Sequence, residues 1–297
     1  MNKVTAKSYT RITLALDIVG KLESGPFAGY HELATVKHRI DLHDTLTVEE
    51  SNEMRIACNN PLVPTNASNI CWKVVDLVKK EFGIGRNVAI AIEKNIPVQG
   101  GLAGGSANAA TMFLILRDLW NLDIDDKRLI ELARPAGMDV PFYFLGGTAF
   151  DAEAGGTLTP IATDLRFDAI LVMPDFGVST SEAYRGLDYS RTGGNRGKTL
   201  AMRESFLAND RAGVVAALHN DFELSVFARY PRLRKIKKRL LDAGCAGAVM
   251  SGSGSTVLGI LRTSGDFKEI QREVGLKSML VSSCSESSGS FSQEGWV

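Results

Sequence analysis

The chain has 297 residues, 44% hydrophobic and 23% charged, which is enough apolar material for one large or two ordinary domains and excludes whole-chain disorder. Thirty-four Lys and Arg balance thirty-four Asp and Glu, so no net charge draws the chain onto nucleic acid or an acidic membrane. No apolar run reaches the ~20 residues of a membrane-spanning helix, and the first residues, Met1 to Lys7, show no secretory pattern. The cysteines (Cys58, Cys71, Cys245, Cys284) and the histidines (His31, His38, His43, His219) are scattered without disulfide or zinc spacing. Free thiols, a cytoplasmic location and no fixed metal site are the expectations.

In chain order, Tyr9 to Ile18 alternates and predicts a strand with Ile12, Leu14, Leu16 and Ile18 on one face. Gly20 to Gly29 reads as a loop, and His38–Leu42 and Asp44–Val48 as further strand material. Asn69 to Phe82 is the first helix, with Ile70, Val74, Leu77 and Val78 at helical spacing. Val88–Ile92 is an apolar strand, followed by a glycine-rich loop and a helix carrying Met112, Phe113, Leu116, Leu119 and Trp120. Asp125-Asp126 caps a short helix that Pro135 stops.

Ala149 to Pro160 is acidic and irregular, and Phe167–Met173 restarts with a strand. The domain seam is therefore placed near residues 150–165. Helices are expected at about 181–186 and 199–227, and a basic one from Pro231 to Ala243, buried along Leu233, Ile236 and Leu240. Gly244 is its natural stop, Val257–Leu261 is a strand, and Ser282 to Gln293 reads as a loose serine-rich tail. The fold class is α+β in two halves.

Three features carry potential chemistry. Pro97 to Ala110 places glycines between a strand and a helix, which turns backbone N–H groups toward an anion at a helix N-terminus. It is neither a Walker A loop nor a dinucleotide fingerprint, and a packed Gly/Ala helix entry gives the same composition. A second small-residue cluster, Gly244 to Thr256, lets another backbone come close or simply turns tightly. Asp139, hemmed by Val140, Pro141 and Phe142, is either a general base or a turn cap.

Two other motifs read as structural. Asp175-Phe176-Gly177 spells the protein-kinase magnesium tripeptide without the catalytic loop that precedes it there. The basic run Arg232 to Arg239 lies opposite an apolar stripe with no interleaved aromatic platform, and reads as a solvated helix face.

Taken in order, the pieces resemble the GHMP kinase superfamily from about Thr10 to about Leu261. The resemblance rests on Leu14-Ala15-Leu16 with Gly20-Lys21, Gly29-Tyr30-His31-Glu32-Leu33, Ile40-Asp41-Leu42, Pro97 through Asn108, Asp139-Val140-Pro141-Phe142 with Gly146-Gly147-Thr148-Ala149, Gly177-Val178-Ser179-Thr180, Asn220-Asp221, and Met250 through Gly254. The Gly-Tyr-His element points to the branch that phosphorylates the 2-hydroxyl of the methylerythritol part of a CDP-linked small molecule. The resemblance implies a two-domain GHMP kinase fold with the active site in the interdomain cleft. Residues 1–160 would form the ATP-binding N-terminal domain, 161–285 the C-terminal domain, and 286–297 the tail.

It implies ATP with Mg²⁺, and a monomer or weak homodimer. ATP would lie on Pro97, Gly100, Gly101, Leu102, Ala103, Gly104, Gly105, Ser106 and Ala107, with Asn69 and Lys94 near the adenine. Asp139 falls on the catalytic base, with Arg11 as its catalytic cation. Tyr30 and Tyr184 fall where aromatics flank the cytosine, and His31 where its edge is hydrogen-bonded. Thr13 and Thr180 complete the substrate side. The chain departs from the family where Arg11 and Thr13 replace a Lys and an Asn, where Ala103 and Ala107 replace Gly and Ser, and in extra residues around Ser24-Gly25-Pro26-Phe27. Ala103 costs little unless its position needs a positive φ.

Overall fold

A computed structural model describes residues 3–21, 23, 29, 31–151 and 158–284. Two long strands form its spine, β1 (Lys3–Lys21) and β2 (His31–Ser51), paired antiparallel along their length with register shifts at Tyr9/Arg11, Thr13/Ala15 and Ile18/Gly20. The two strand pieces expected at 38–42 and 44–48 are parts of this one β2. β3 (Arg55–Cys58) follows, a short strand that the sequence reading does not contain.

α1 (Ile70–Phe82) begins at Asn69, whose Oδ1 accepts the Cys71 N–H at 2.8 Å, and ends at Gly83 in the left-handed region at φ +64°. β4 (Asn87–Glu93) leads through the glycine loop into α2 (Gly104–Leu119), which is buried around most of its circumference and packs on α1 and β1. A helix apolar on nearly every side belongs inside a domain, and Met112, Phe113, Ile115 and Leu116 have no exposed surface. α3 (Asp126–Ala133) is capped by Asp125, and a 3₁₀ turn holding Pro135 ends it. α4 (Phe142–Leu145) and the strands β5 (Thr148–Asp151) and β6 (Leu158–Ile161) complete this part. The strands order as β3-β4-β2-β1, with β5 pairing β2 and β6 pairing β5.

The chain then changes sheet. β7 (Asp168–Val172) opens a second, four-stranded sheet. α5 (Thr180–Arg185) follows, and the helix expected over 199–227 is three helices with a strand between them: α6 (Arg196–Leu207), α7 (Arg211–Ala216), β8 (His219–Asn220) and α8 (Phe222–Arg229). The breaks have local causes. Asn209 sits at φ +53° just past α6, and His219–Asn220 extends to pair in parallel with Ala15–Leu16 of β1. That pairing adds β8 to the first sheet, so a late segment stitches the two halves together.

α9 (Pro231–Asp242) buries Leu233, Ile236 and Leu240, with Gly244 following at φ +98°. β9 (Gly247–Met250), β10 (Val257–Ile260), α10 (Phe267–Val274) and β11 (Ser278–Ser282) finish the second sheet in the order β11-β7-β10-β9. The expected tail therefore begins later than Ser282. That residue closes β11, and Ser283 bridges Ile40 while its hydroxyl accepts the Phe167 N–H at 3.0 Å. Residues 286–297 lie outside the described residues.

The core divides along the same lines. Leu46, Ile90, Phe113 and their neighbours form one cluster beneath β2 and β4, while Leu16, Ile18, Ile170, Met250 and Val257 form another under the second sheet. A third cluster joins them, taking Ile12 and Leu14 from β1, Leu102 from the glycine loop and Val249 and Leu258 from β9 and β10. The strand face opposite Ile12 and Leu14 is not solvated, since Arg11, Thr13 and Asp17 are also buried. Two of these polar groups, Arg11 and Thr13, face a cleft.

Candidate active site

The cleft encloses about 590 Å³ between β1 and β2 on one side, the glycine loop on another and the Ser251–Ser253 turn on a third. On β1, Arg11 and Thr13 are two residues apart and share a face. Thr13 pairs with Lys37 of β2, which brings Lys37 onto that same face. Asp139 comes from the turn just before α4, where the Phe142 N–H donates to the Asp139 carbonyl at 3.3 Å.

These side chains form a continuous chain of charge. Arg11 Nη2 donates to Asp139 Oδ2 at 2.7 Å, and Lys37 Nζ lies 2.9 Å from Asp139 Oδ1. The same Lys37 ammonium donates to Asp151 Oδ2 of β5 at 2.9 Å. Arg11 Nη1 meanwhile donates to Thr13 Oγ1 at 2.8 Å and to the Gly101 carbonyl at 2.9 Å. Burial works to raise the Asp139 carboxyl, but Lys37 and then Arg11 overcome it and hold the group well below the usual carboxylate range. Burial likewise pulls on the Lys37 ammonium, and Asp139 and Asp151 outweigh it and keep it charged.

The glycine loop approaches this cluster through its backbone. Gly101 sits at φ +73°, and a Cβ there would stand 2.0 Å from the Ser251 carbonyl oxygen. A Cβ on Gly252 would lie 2.8 Å from the Gly101 oxygen, so the two small-residue clusters of the sequence are packed against each other. Hydrogen bonds lock the contact: the Thr256 N–H to the Gly100 carbonyl at 3.2 Å, Ser251 Oγ to the Gly101 carbonyl at 3.1 Å, and Thr10 Oγ1 to the Leu102 carbonyl. Ser251 Oγ also accepts the Thr13 N–H at 3.1 Å. Ala103, the residue before α2, is in the left-handed region at φ +53°, the condition under which an alanine there is strained. The first N–H groups of α2 have no intrahelical partner, and Gly104, Gly105 and Ser106 line the cleft, a favourable place for phosphate oxygens.

The expected residues divide by location. Arg11, Thr13, Asp139 and Thr180 line the cleft, as do Asn69 and Lys94. From the loop, Pro97, Gly100, Gly101, Ala103, Gly104, Gly105 and Ser106 line it as well. Leu102 and Ala107 do not line it and are core residues instead, each 1% exposed. Two lining side chains have their polar groups engaged. Asn69 caps α1 and donates to the Pro64 carbonyl at 2.6 Å, while Lys94 Nζ is 2.9 Å from the fully buried Asp44 and also donates to the Ile96 carbonyl.

His31 and Tyr184 stand outside the lining. Their rings stack at 3.8 Å and 15°, and Tyr184 meets Phe222, a cleft residue, edge-on at 4.8 Å. Tyr189 extends the aromatic wall, its hydroxyl 2.6 Å from His31 Nε2. Burial, with Lys21 nearby, keeps His31 below its ordinary value and so neutral. Tyr30 lies outside the described residues.

Sequence reasoning missed Lys37, Asp151, Phe222 and Tyr189. Lys37 carried little local signal, since it directly precedes His38 and Arg39 and reads as one of three consecutive basic residues. Among the described residues no three His, Cys, Asp or Glu side chains stand together to hold a metal, and no helix is long and apolar enough to cross a membrane. At the start of α2 the cleft is lined by neutral side chains, Ser106 and Asn108, the latter with its Oδ1 buried and without a hydrogen-bond partner. Such a donor set suits an ion that arrives on phosphates rather than one caged by carboxylates.

Known proteins resemble the chain over most of its length. The family model for the GHMP kinases N terminal domain matches residues 69–147, and that for the GHMP kinases C terminal domain matches residues 202–278. The chain is 36% identical over 278 residues to the 4-diphosphocytidyl-2-C-methyl-D-erythritol kinase of Alkaliphilus metalliredigens (strain QYMF), covering 93% of this chain and 94% of that one. It is 35% identical over 266 residues to the protein of the same name from Gloeobacter violaceus (strain ATCC 29082 / PCC 7421), covering 88% and 87%. A crystal structure of 4-(cytidine 5'-diphospho)-2C-methyl-D-erythritol kinase superposes with a TM-score of 0.77 at 26% identity, over 95% of this chain and all of the other. Homoserine kinase from Cytophaga hutchinsonii shares the fold alone, with a TM-score of 0.74 at 15% identity over 96% of this chain and 95% of that one. The chain therefore belongs to the GHMP kinase family, has its α+β fold, and is a phosphotransferase similar to the 4-diphosphocytidyl-2-C-methyl-D-erythritol kinases.

Proposed function

We propose that the chain transfers the γ-phosphoryl group of ATP to the 2-hydroxyl of 4-(cytidine 5'-diphospho)-2-C-methyl-D-erythritol, a step of isoprenoid biosynthesis. The observation that carries the reading is Asp139 at the cleft floor, one oxygen on Arg11 and the other on Lys37, with Arg11 also holding the Gly101 carbonyl of the glycine loop. Phosphoryl transfer needs positioning and charge neutralisation more than covalent participation by the protein, and this arrangement supplies both.

In this reading the loop from Gly100 to Ser106 and the start of α2 cradle the phosphates. Asn69 and Lys94 shape the adenine side from fixed positions. Thr13 and Thr180 border the acceptor, Tyr184 flanks the cytosine, and His31 hydrogen-bonds its edge. Mg²⁺ carried in on the nucleotide would neutralise phosphate charge, with Ser106 and Asn108 of α2 as neutral oxygen donors in the cleft lining. Asp139, held well below the ordinary carboxylate range, is a weak base toward an alcohol. Its work is to orient the hydroxyl and to accept its proton late, once the bond to phosphorus is forming. We read the enzyme as cytoplasmic and as a monomer or weak homodimer.

The test is phosphorus NMR of the protein with MgATP and the CDP-linked acceptor. A phosphomonoester resonance growing with ADP, abolished by EDTA and restored by Mg²⁺, is expected. Persistence of ATP with that acceptor, and turnover of another polyol or amino alcohol in the same tube, would overturn the acceptor assignment. No turnover on any acceptor would leave a nucleotide-binding protein.

A further inference from the structure

The charge chain at the cleft floor contains more than a base and one cation. Asp139 is gripped from two strands, and each grip is itself anchored. Arg11 on β1 is fixed through Nη1 to Thr13 and to the Gly101 carbonyl. Lys37 on β2 is fixed from the far side by Asp151. The sheet sets that second anchor: Thr35 pairs with Asp151 and Lys37 with Ala149, so Lys37 and Asp151 are diagonal neighbours across β2 and β5. Lys37 lines the cleft and its side chain is only 7% exposed, so its ammonium has few alternatives to the two carboxylates.

The two cations are not equivalent. Arg11 keeps its charge under all working conditions and makes directional, forked contacts already shared with the loop. Lys37 is a compact charge that meets the Asp139 oxygen that Arg11 does not. Remove it, and Oδ1 loses its ion-pair partner while Arg11 remains on Oδ2, so the carboxylate is free to turn. Asp151 takes part of the ammonium's field, which limits how strongly Lys37 depresses the basicity of Asp139.

We propose that Lys37, anchored by Asp151, is a positioning residue for phosphoryl transfer that holds Asp139 Oδ1 and sets the orientation and basicity of that carboxylate toward the acceptor hydroxyl. The inference rests on the reading of Asp139 as the group that takes the acceptor's proton. In the step it serves, the hydroxyl oxygen forms its bond to the γ-phosphorus while its proton passes to Asp139. The bond from that phosphorus to the β–γ bridging oxygen breaks, and the electron pair leaves with ADP. The groups facing Asp139 are Arg11 from β1, Lys37 from β2, Asp151 of β5 through Lys37, Tyr143 from α4 and Tyr184 from α5. The two tyrosines are pushed above their ordinary range, chiefly by burial, and stay neutral. The lysine is therefore the variable partner.

The experiment compares the wild type with Lys37→Met and Lys37→Gln. It reads kcat, KM for ATP and acceptor, the pH profile of kcat/KM, and the carboxyl carbon of Asp139 by ¹³C NMR in the ligand-free protein. Lys37→Met is expected to lower kcat by about 100-fold with both KM values within roughly threefold, and to move the Asp139 titration up by about one pH unit or more. Lys37→Gln keeps a donor for Oδ1 without the charge, so part of kcat returns while the titration stays raised. Should Lys37→Met misfold because Asp151 is left unpaired, Lys37→Met with Asp151→Asn removes both charges and gives the same readouts. An unchanged kcat, or an Asp139 titration that does not move, overturns the proposal. Because the titration needs no acceptor, it is decided separately from the acceptor assignment, which fails only if the wild type does not turn the CDP-linked substrate over.

Discussion

Replacing Gly101 by alanine tests whether the cleft is built by backbone-to-backbone packing. The added Cβ would stand 2.0 Å from the Ser251 oxygen and 2.9 Å from both the nitrogen and oxygen of Gly254, all main-chain atoms that cannot swing aside. Relief requires the loop and the Ser251 turn to part by more than about 1 Å, since ordinary van der Waals contact lies near 3.5 Å. That separation breaks the bonds from Ser251 Oγ and Arg11 Nη1 to the Gly101 carbonyl and from Thr256 N to the Gly100 carbonyl. Two neutral bonds at about 1 kcal/mol and one charged bond at about 2 sum to about 4 kcal/mol. Holding an alanine at φ +73° adds about 1–2 kcal/mol. The expected loss is about 5 kcal/mol, comparable to the whole stability of a marginal domain.

Urea unfolding of Gly101→Ala gives the stability, and Gly105→Ala is the matched control. Gly105 lies in the first turn of α2, where the nearest atom to a new Cβ is Ile70 Cγ2 at 3.9 Å. There alanine stabilises the helix by about 0.5–1 kcal/mol, but its methyl group stands where phosphate would approach the backbone. The KM for ATP is expected to rise about tenfold. Gly101→Ala within about 1 kcal/mol of wild type refutes the packing argument. A stable Gly105→Ala with unaltered KM for ATP refutes the phosphate cradle.

Asp139→Asn should lower kcat by about 100-fold or more while leaving the KM for ATP within a few-fold, and steady-state kinetics showing only a few-fold loss of kcat would count against Asp139 as base. Ala103→Gly should stabilise the protein by about 1 kcal/mol in urea, because glycine takes the left-handed φ of +53° freely and is a better helix N-cap than alanine; a loss of stability contradicts this. His38, 2% exposed and bonded to Thr148 Oγ1 at 2.8 Å and Ser283 Oγ at 2.9 Å, is pushed down to about 3 by burial and by Arg166. Between its ordinary value and that lowered one the unfolded chain binds a proton that the folded chain refuses, so stability falls as pH drops below about 6.5. The slope from this group approaches about 1.4 kcal/mol per pH unit. Denaturation of wild type and His38→Gln from pH 6.5 down to 4.5 should therefore converge, and parallel curves would show that His38 contributes no such slope.

Much of this protein is written locally. The alternation from Tyr9 to Ile18, the cap at Asn69 and the stripe at Leu233, Ile236 and Leu240 each fix an element through neighbours a few residues away, and the structure places β1, α1 and α9 there. The glycine loop was legible too, because only small residues let a strand turn into a helix with its N–H groups turned outward. Where long-range pairing decides, local reading failed. The run 199–227 has helical composition throughout, yet His219–Asn220 leaves the helix to pair with β1, and no local pattern marks that partner.

The glycines themselves were legible as small residues, but that Gly101 and Ser251–Gly254 touch each other was not. Ala103 was visible as a replacement, whereas its strain emerged only with its φ of +53°. The cleft floor shows the same division most sharply. Asp139 and Arg11 stood out by motif, one residue at a time. Lys37 read as one of three consecutive basic residues until the β1–β2 register set it opposite Thr13 and the β2–β5 pairing supplied Asp151. Sequence determined the family and the elements that local patterns fix, because those follow from periodicity and ordered motifs. Tertiary structure alone decided which charges share one carboxylate, because that depends on register between strands, and a shift of one residue would turn Lys37 to the opposite face.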